Sequence, residues 1–569
     1  MFLSKPVVSA SLCILTLLAC CRPKHDVVPP KSTGVSPELL ADSLFLYAKQ
    51  VYYWNNTLPD ISGFNPRRLV SADTITGLND EMFAISRFAT NPATGFSYEQ
   101  KIGYNSSGNP ENDNTEAKFS YILKTSDVYG GGGISAAPHN PSMGDNLKMT
   151  LDGKDNSLGF VMGFIPVDEA GTLQDPMPYV NKDSLVGLVR YVTKGSPAYN
   201  AGLKRGDIIS KINGNSWRFE TDQSRINNAL DASSITVTVY KPGTKTSRDV
   251  PVQKALYTMN PVFNDTVLDV EGKKIGYVAF QSFTDLGNAQ AALDEAFSKF
   301  GNITDMVVDL RYNGGGYVKT AGYLGNLLAP ASASGQVFFA EYYNQTMQNK
   351  QATLLKNQQA YDGNNRPLGY NYFDVNFSVA SNTTLLSKAG PFNNNNAVKN
   401  LYFIVSSSTA SASELLINGL IPYFNSVYLI GAVFSDNGKK TYGKPVGFFE
   451  IRLGNYSVYM ANFETKNKNQ INGTQTGSYY SGLSTDLQVL DDLRYDFGNP
   501  NEACFKWAIR KITGNNNYTP TPALLMSRAA GISSAASLSE TPRPVGHGVG
   551  NLTRISDMVV TVDQKSTLH

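Results

Sequence analysis

Leu401-Tyr402-Phe403-Ile404-Val405-Ser406-Ser407-Ser408-Thr409-Ala410-Ser411-Ala412-Ser413-Glu414-Leu415-Leu416 places an apolar run, a hydroxyl-rich bend and a second apolar segment in immediate succession. The run 401–405 reads as a buried strand, and the pattern continuing through Ile417, Leu420 and Ile421 reads as a helix. Ser411 therefore falls at a strand-to-helix turn. A helix start carries unpaired N–H groups and the positive end of the helix dipole, which suit developing negative charge. The N–H of Ala412 can help bind an oxyanion there. Taken alone, a Ser/Thr-rich helix start is more often a cap than a catalytic turn.

Neighbouring stretches repeat the alternation. Residues 275–280 and 306–310 read as buried strands, with an amphipathic segment at 286–300 between them, and 427–431 reads as another strand. This pattern predicts α/β layers. Asp309-Leu310-Arg311-Tyr312-Asn313-Gly314-Gly315-Gly316 follows one of these strands. Successive glycines let a backbone approach a substrate and aim amides at it, so Gly315 is a candidate second oxyanion donor, although a plain glycine turn is the commoner use. Thr441-Tyr442-Gly443-Lys444-Pro445-Val446-Gly447 sets one lysine among turn-forming and apolar residues, whereas lysines are ordinarily solvated.

The histidines exclude the commonest hydrolytic arrangements. His25, His139, His547 and His569 all lie in Pro/Gly-rich or weakly patterned stretches, and there is no G-x-S-x-G motif. A hydrolase built from this chain needs another base, and a lysine serves once burial lowers its pKa. Upstream, Ser157-Leu158-Gly159-Phe160 precedes an apolar strand. Gly195-Ser196-Pro197-Ala198 and Ala201-Gly202-Leu203-Lys204-Arg205-Gly206-Asp207 follow some way on. These two segments resemble a PDZ domain, which implies that Leu158, Gly159 and Phe160 present a strand edge and amides to a peptide.

The ordered set of PDZ-like region, DLRYNGGG, TASASE and TYGK resembles the carboxyl-terminal processing, or tail-specific, proteases of the S41 type, over roughly residues 155–450. The resemblance implies a crotonase-like α/β protease core with an inserted PDZ-like β domain and a small helical N-terminal domain. It implies Ser411 as nucleophile, Lys444 as general base, Glu414 as a supporting carboxylate, and Gly315 with Ala412 as the oxyanion hole. Peptides or proteins are the expected substrates, with no cofactor and no metal. Residues 432–440 look like an insertion that brings in Lys439 and Lys440, but only Lys444 carries the preceding Thr-Tyr-Gly. A rival reading is a catalytically silent lipoprotein that captures peptides, against which stand both Ser411 and Lys444.

At the N-terminus, Lys5 precedes an apolar stretch at 7–18, too short to span a bilayer comfortably, which reads as a secretion signal over 1–19. Leu17-Leu18-Ala19-Cys20 resembles a bacterial lipobox, so Cys20 is the expected lipidated residue and membrane attachment is through that anchor. The expected location is the bacterial envelope, at the outer membrane. Four cysteines, three of them at 13, 20 and 21, provide no disulfide framework and no CxxC pair. A net charge of +2 with both signs mixed along the chain argues against a nucleic-acid partner. The expected division is 1–19 signal, 20–35 tether, 36–115 helical N-terminal domain, 116–258 PDZ-like domain with preceding strands and loops, 259–519 protease core and 520–569 extended tail. Ser36 is the expected N-cap of the first helix, with Pro37 at N1 and Leu40, Leu44, Tyr47, Val51 and Trp54 at helical spacing.

Overall fold

The computed structural model describes residues 35–520 except 105–109, 114–115, 127–152, 167–184, 218, 242–243, 362–366, 389–391, 393–397, 434–439 and 472–477. The signal, Cys20, almost all of the tether, Lys439 and all but the first residue of the tail lie outside the described residues. Among those described, no helix is long and apolar enough to cross a membrane.

Helix α1 (Pro37–Val51) opens as its sequence dictates: the Ser36 hydroxyl accepts from the Leu39 N–H and proline occupies N1. Leu40, Leu44, Tyr47 and Val51 form its buried face, packed with Leu78, Met82 and Ile85 of α2 (Thr74–Ser86). Trp54 lies beyond the helix end, stacked on Tyr98 with ring centroids 4.9 Å apart. Strand β1 (Tyr121–Lys124) then pairs antiparallel with residues 456–459, Tyr121 opposite Tyr459. This corrects the expected division, because the segment just after residue 116 completes a sheet with core residues and does not join the PDZ-like unit.

That unit is an antiparallel sheet. Its strands are β2 (Phe160–Pro166), β3 (Leu185–Val192), β4 (Ile208–Ile212), β5 (Ser234–Lys241) and β6 (Thr246–Gln253), in spatial order β6-β5-β4-β3-β2, with α3 (Phe219–Asp231) before β5. Strand β2 is an edge of this sheet. Residues 154–157 and 255–258 pair antiparallel where the chain enters and leaves the unit.

The core sheet runs β7 (Val262–Val270), β8 (Lys273–Phe280), β9 (Asp305–Asp309), β10 (Asn400–Val405), β11 (Ser426–Val433) and β12 (Leu487–Leu490) in that spatial order. The β7–β8 pair is antiparallel and every later pair is parallel. Parallel strands need crossovers, and helices α4 (Leu286–Ser298), α5 (Val318–Leu328) and α6 (Ala412–Leu420) lie in the first three of the four. Val278, Phe280, Met306, Val308, Phe403 and Val405 face those helices. The alternating residues Tyr277, Ala279, Val307, Tyr402 and Ile404 face α7 (Ala503–Thr513). Both faces are thus covered, which is why these strands read as continuous apolar runs. Ser411 and the glycine turn lie just beyond the carboxyl ends of β10 and β9, where loops of such sheets gather functional groups.

Candidate active site

Ser411 has φ 59° and ψ −116°, a region sparsely used by residues with a Cβ, and it is fully buried. Backbone of this kind costs on the order of 1–3 kcal/mol and persists only where surrounding contacts over-determine it. Those contacts are present. The Asn313 carbonyl accepts from the Ala410 N–H at 3.3 Å and the Ser413 hydroxyl at 3.0 Å. The Thr409 hydroxyl donates to the Leu310 carbonyl at 2.8 Å, and the Ser406 hydroxyl to the Arg311 carbonyl. The serine turn is therefore sewn to the DLRYNGGG turn, and the Ser411 hydroxyl is left with no hydrogen-bond partner among the described residues.

Glu414, one helical turn on, is buried and its carboxylate ties the two halves of the site together. One oxygen accepts the Ser411 N–H at 3.0 Å and the Lys444 N–H at 2.8 Å; the other accepts the Gly443 N–H at 2.7 Å and the Thr441 hydroxyl. Burial pushes the Glu414 carboxyl up, and those four donors pull against it. Both of its oxygens are thus engaged by backbone amides and Thr441, an arrangement that fixes the serine turn against the lysine turn.

Lys444 is 2% exposed. Desolvation brings its amine down to about 7, against opposing attraction from Glu99 and Glu414 and with help from the like charge of Lys118. Its Nζ lies 4.8 Å from the Phe448 ring centroid, and Phe448 packs with Tyr121 and Tyr459 across the β1 pairing. Lys440, by contrast, is exposed.

The glycine turn needs one correction. The Gly315 N–H donates to the Asn313 side-chain oxygen at 2.9 Å, while the Asn313 amide reaches the Phe280 carbonyl at 3.0 Å. An amide consumed in closing its own turn is not aimed at a substrate. Those of Ala412, at the first position of α6, and of Gly314 and Gly316 have no acceptor among the described residues. Gly316, at φ 134°, lies so close to the Phe283 carbonyl that a Cβ would stand 2.2 Å from its oxygen.

Behind this turn is an ion network that residue patterns did not reveal. Arg311, fully buried, donates to Asp309, to Asp491 at 2.8 Å and to both oxygens of Glu502 at 2.9 Å. Arg205 of the PDZ-like unit donates to Asp491 at 2.6 Å and to the Tyr312 hydroxyl at 2.8 Å, and that hydroxyl donates to Asp491. Flanking arginines hold the Asp491 carboxyl well below the usual carboxylate range, overcoming its burial. Among the described residues no group of three or more His, Cys, Asp or Glu could hold a metal ion.

In the PDZ-like unit the Leu158 and Phe160 side chains are buried in its core, so that segment offers backbone rather than side chains. Gly159, at φ 84°, lets the Ser196 side chain close against it; a Cβ would meet the Ser196 hydroxyl at 2.3 Å.

Residues 274–478 match Peptidase family S41, and residues 188–241 match a PDZ domain. The chain carries an S41 peptidase domain. Ser411, Glu414 and Lys444 all lie inside it, as do Gly314, Gly315 and Gly316. Over 135 residues the chain is 32% identical to the carboxy-terminal processing protease CtpB of Bacillus subtilis, covering 22% of this chain and 27% of that one. Over 184 residues it is 26% identical to a carboxyl-terminal-processing protease of Picosynechococcus, covering 32% and 40%. The chain thus spans between about a quarter and two fifths of these relatives. A solved Bacteroides fragilis structure described as an S41 protease superposes over 83% of this chain and 97% of its own, at 21% identity and a TM-score of 0.48.

Proposed function

We propose that the chain is a serine endopeptidase of the Ser-Lys type, acting on unfolded or C-terminally recognised proteins. The observation that carries this is the Glu414 carboxylate, one oxygen of which accepts the N–H groups of both Ser411 and Lys444. A strained, unpartnered serine hydroxyl and a buried lysine with its pKa brought near 7 are thereby fixed on adjoining backbone.

The neutral Lys444 amine takes the Ser411 proton as the Ser411 oxygen attacks a peptide carbonyl. Negative charge forming on that carbonyl oxygen meets the Ala412 N–H and an amide of the glycine turn, Gly314 or Gly316. The tetrahedral intermediate collapses, the C–N bond breaks, and the Lys444 ammonium gives its proton to the departing amine. Water, deprotonated by the Lys444 amine, then attacks the acyl-serine ester; the acyl–Oγ bond breaks, the Lys444 ammonium returns its proton to the Ser411 oxygen, and the carboxylic acid fragment leaves.

The edge of β2, entered through the Gly159 turn, suits an added peptide strand and so raises the substrate's local concentration. Lipidation at Cys20 would hold the enzyme at the bacterial outer membrane. The test is hydrolysis of an unfolded protein by the soluble chain and by Ser411→Ala: cleavage is expected from the first and none from the second. Undiminished cleavage by Ser411→Ala, with contaminating proteases excluded, would overturn the reading.

A further inference from the structure

A second lysine meets the turn that carries Lys444. Lys118 comes from the segment just before β1, where its backbone N–H donates to the Glu99 carbonyl at 3.0 Å. Its side chain reaches into the peptidase domain. The ammonium donates to the Tyr480 carbonyl at 2.8 Å and lies 5.0 Å from the Tyr442 ring centroid and 5.1 Å from that of Phe119. Tyr442 returns the contact, its hydroxyl donating to the Lys118 carbonyl at 3.2 Å.

Both partners of Lys118 bear on the base. Tyr442 stands two residues before Lys444. The Tyr480 carbonyl closes on the residue between them: Gly443 has φ 87°, and a Cβ there would stand 2.4 Å from that oxygen. Lys118 therefore holds the lysine turn by its ring and by the backbone packed against its glycine.

The charges around the two amines come from three elements. Glu414 lies on α6. Glu99 lies in the N-terminal domain, where it accepts from the Tyr52 and Ser120 hydroxyls at 2.7 and 2.9 Å and from the N–H groups of Phe119 and Ser120. Both carboxylates favour an ammonium at Lys444, and the like charge of Lys118 opposes them. Desolvation lowers the Lys118 amine too, to about 8, against attraction from Glu414 and Glu99.

We propose that Lys118 is a positioning residue for the base: through the Tyr442 ring and the Tyr480 carbonyl it fixes the Tyr442-Gly443-Lys444 turn and brings a second cationic head to it. This rests on Lys444 acting as the base. A like charge disfavours protonation of its neighbour, and pairing an amine with another cation is a known way to activate it. The stretch leading into β1, which carries both Glu99 and Lys118, is then part of the catalytic apparatus.

The experiment reads the Lys444 amine directly. In a Ser411→Ala background, where no acyl transfer occurs, labelling of Lys444 by a small amine-reactive reagent is followed across pH by mass spectrometry. Lys118→Met should move the half-point upward by about half to one pH unit, and Lys118→Arg should leave it near the parental value. With Ser411 present, the rising limb of kcat/KM should move in the same direction and by the same amount. A merely structural lysine would lower kcat without moving that limb. Should Lys118→Met melt without cooperativity, Lys118→Gln keeps a donor for the Tyr480 carbonyl and carries the same expected shift. A half-point that Lys118→Met leaves unmoved, or that Lys118→Arg moves as far, overturns the inference. A labelling shift in a chain that hydrolyses nothing even with Ser411 present would leave the coupling of the two amines standing but sink the protease reading and, with it, the catalytic role of Lys118; hydrolysis without a labelling shift would sink the inference and spare that reading.

Discussion

Replacing Lys444 with methionine should abolish hydrolysis and stabilise the fold, by an amount that depends on pH. Lys444 is 2% exposed, and burial holds its amine near about 7 against an ordinary 10.5. Below the folded value both the folded and unfolded chains carry the proton, so the whole difference opposes folding. At about 1.4 kcal/mol for each pH unit of separation it amounts to about 5 kcal/mol. Between the two values the unfolded chain binds the proton and the folded chain does not. Stability of the parent therefore rises with pH through that window, and the burden is gone above about 10.5. Methionine keeps an apolar stem of similar length and, where the amine is protonated below about 7, gives up the cation's contact with the Phe448 ring, which offsets about 0.5–2 kcal/mol there. The expected net gain for Lys444→Met is about 3 kcal/mol near pH 6.5 and near pH 8.5 alike, falling to almost nothing near pH 10.5. Urea unfolding of parent and variant at these three pH values, compared through midpoint and slope, measures it. A gain that is flat across pH, or a variant less stable than the parent near pH 6.5, would refute the claim that Lys444 is held neutral by burial.

Three further outcomes follow, two from the lysine turn and one from the buried ion network. The rate of peptide hydrolysis, as kcat/KM, should rise about tenfold per pH unit below about 7 and level off above it. Lys444→Arg, whose guanidinium keeps its proton, should lose at least about a thousandfold, while Lys440→Ala should keep parental activity; steady-state assays of the three side by side check this. Arg205→Met should destabilise the chain by about 3 kcal/mol because Asp491 loses a buried partner, and Asp491→Asn in the same chain should recover part of that loss. A double-mutant cycle by urea unfolding gives the coupling.

The α/β layers were legible because each core strand is apolar on both faces and its neighbours carry helical periodicity; residues 275–280, 306–310 and 401–405 needed no partner to be recognised. The strand-to-helix turn at Ser411 and the apolar setting of Lys444 were legible from short local motifs. What escaped was long-range. The serine's unusual backbone has no glycine signature, because Ala410 and Ala412 flank it and the strain is held by hydrogen bonds from residues about a hundred positions earlier. Gly315 looked like a free donor because nothing in a run of three glycines says which amide the Asn313 side chain will take. Glu414 carried no local sign that both of its oxygens would be spent on backbone and Thr441. Lys118 had no motif at all. The Arg205, Arg311 and Asp491 network joins residues separated by 180 and 286 positions, beyond the reach of any periodicity.

Strand β1 has a consequence in time. The Thr125 hydroxyl meets that of Ser457 at 3.0 Å, 332 positions later, where Tyr121 also finds Tyr459 and Phe448. During synthesis from the N-terminus the early strand must wait, unpaired, until its partner emerges, and contacts of such separation form late in folding. The wall against which the Lys444 amine is desolvated closes only then. On the proposed reading, a nascent or truncated chain that already contains Ser411 lacks the desolvated amine that reading calls for, and the site is completed only once these two distant segments have met.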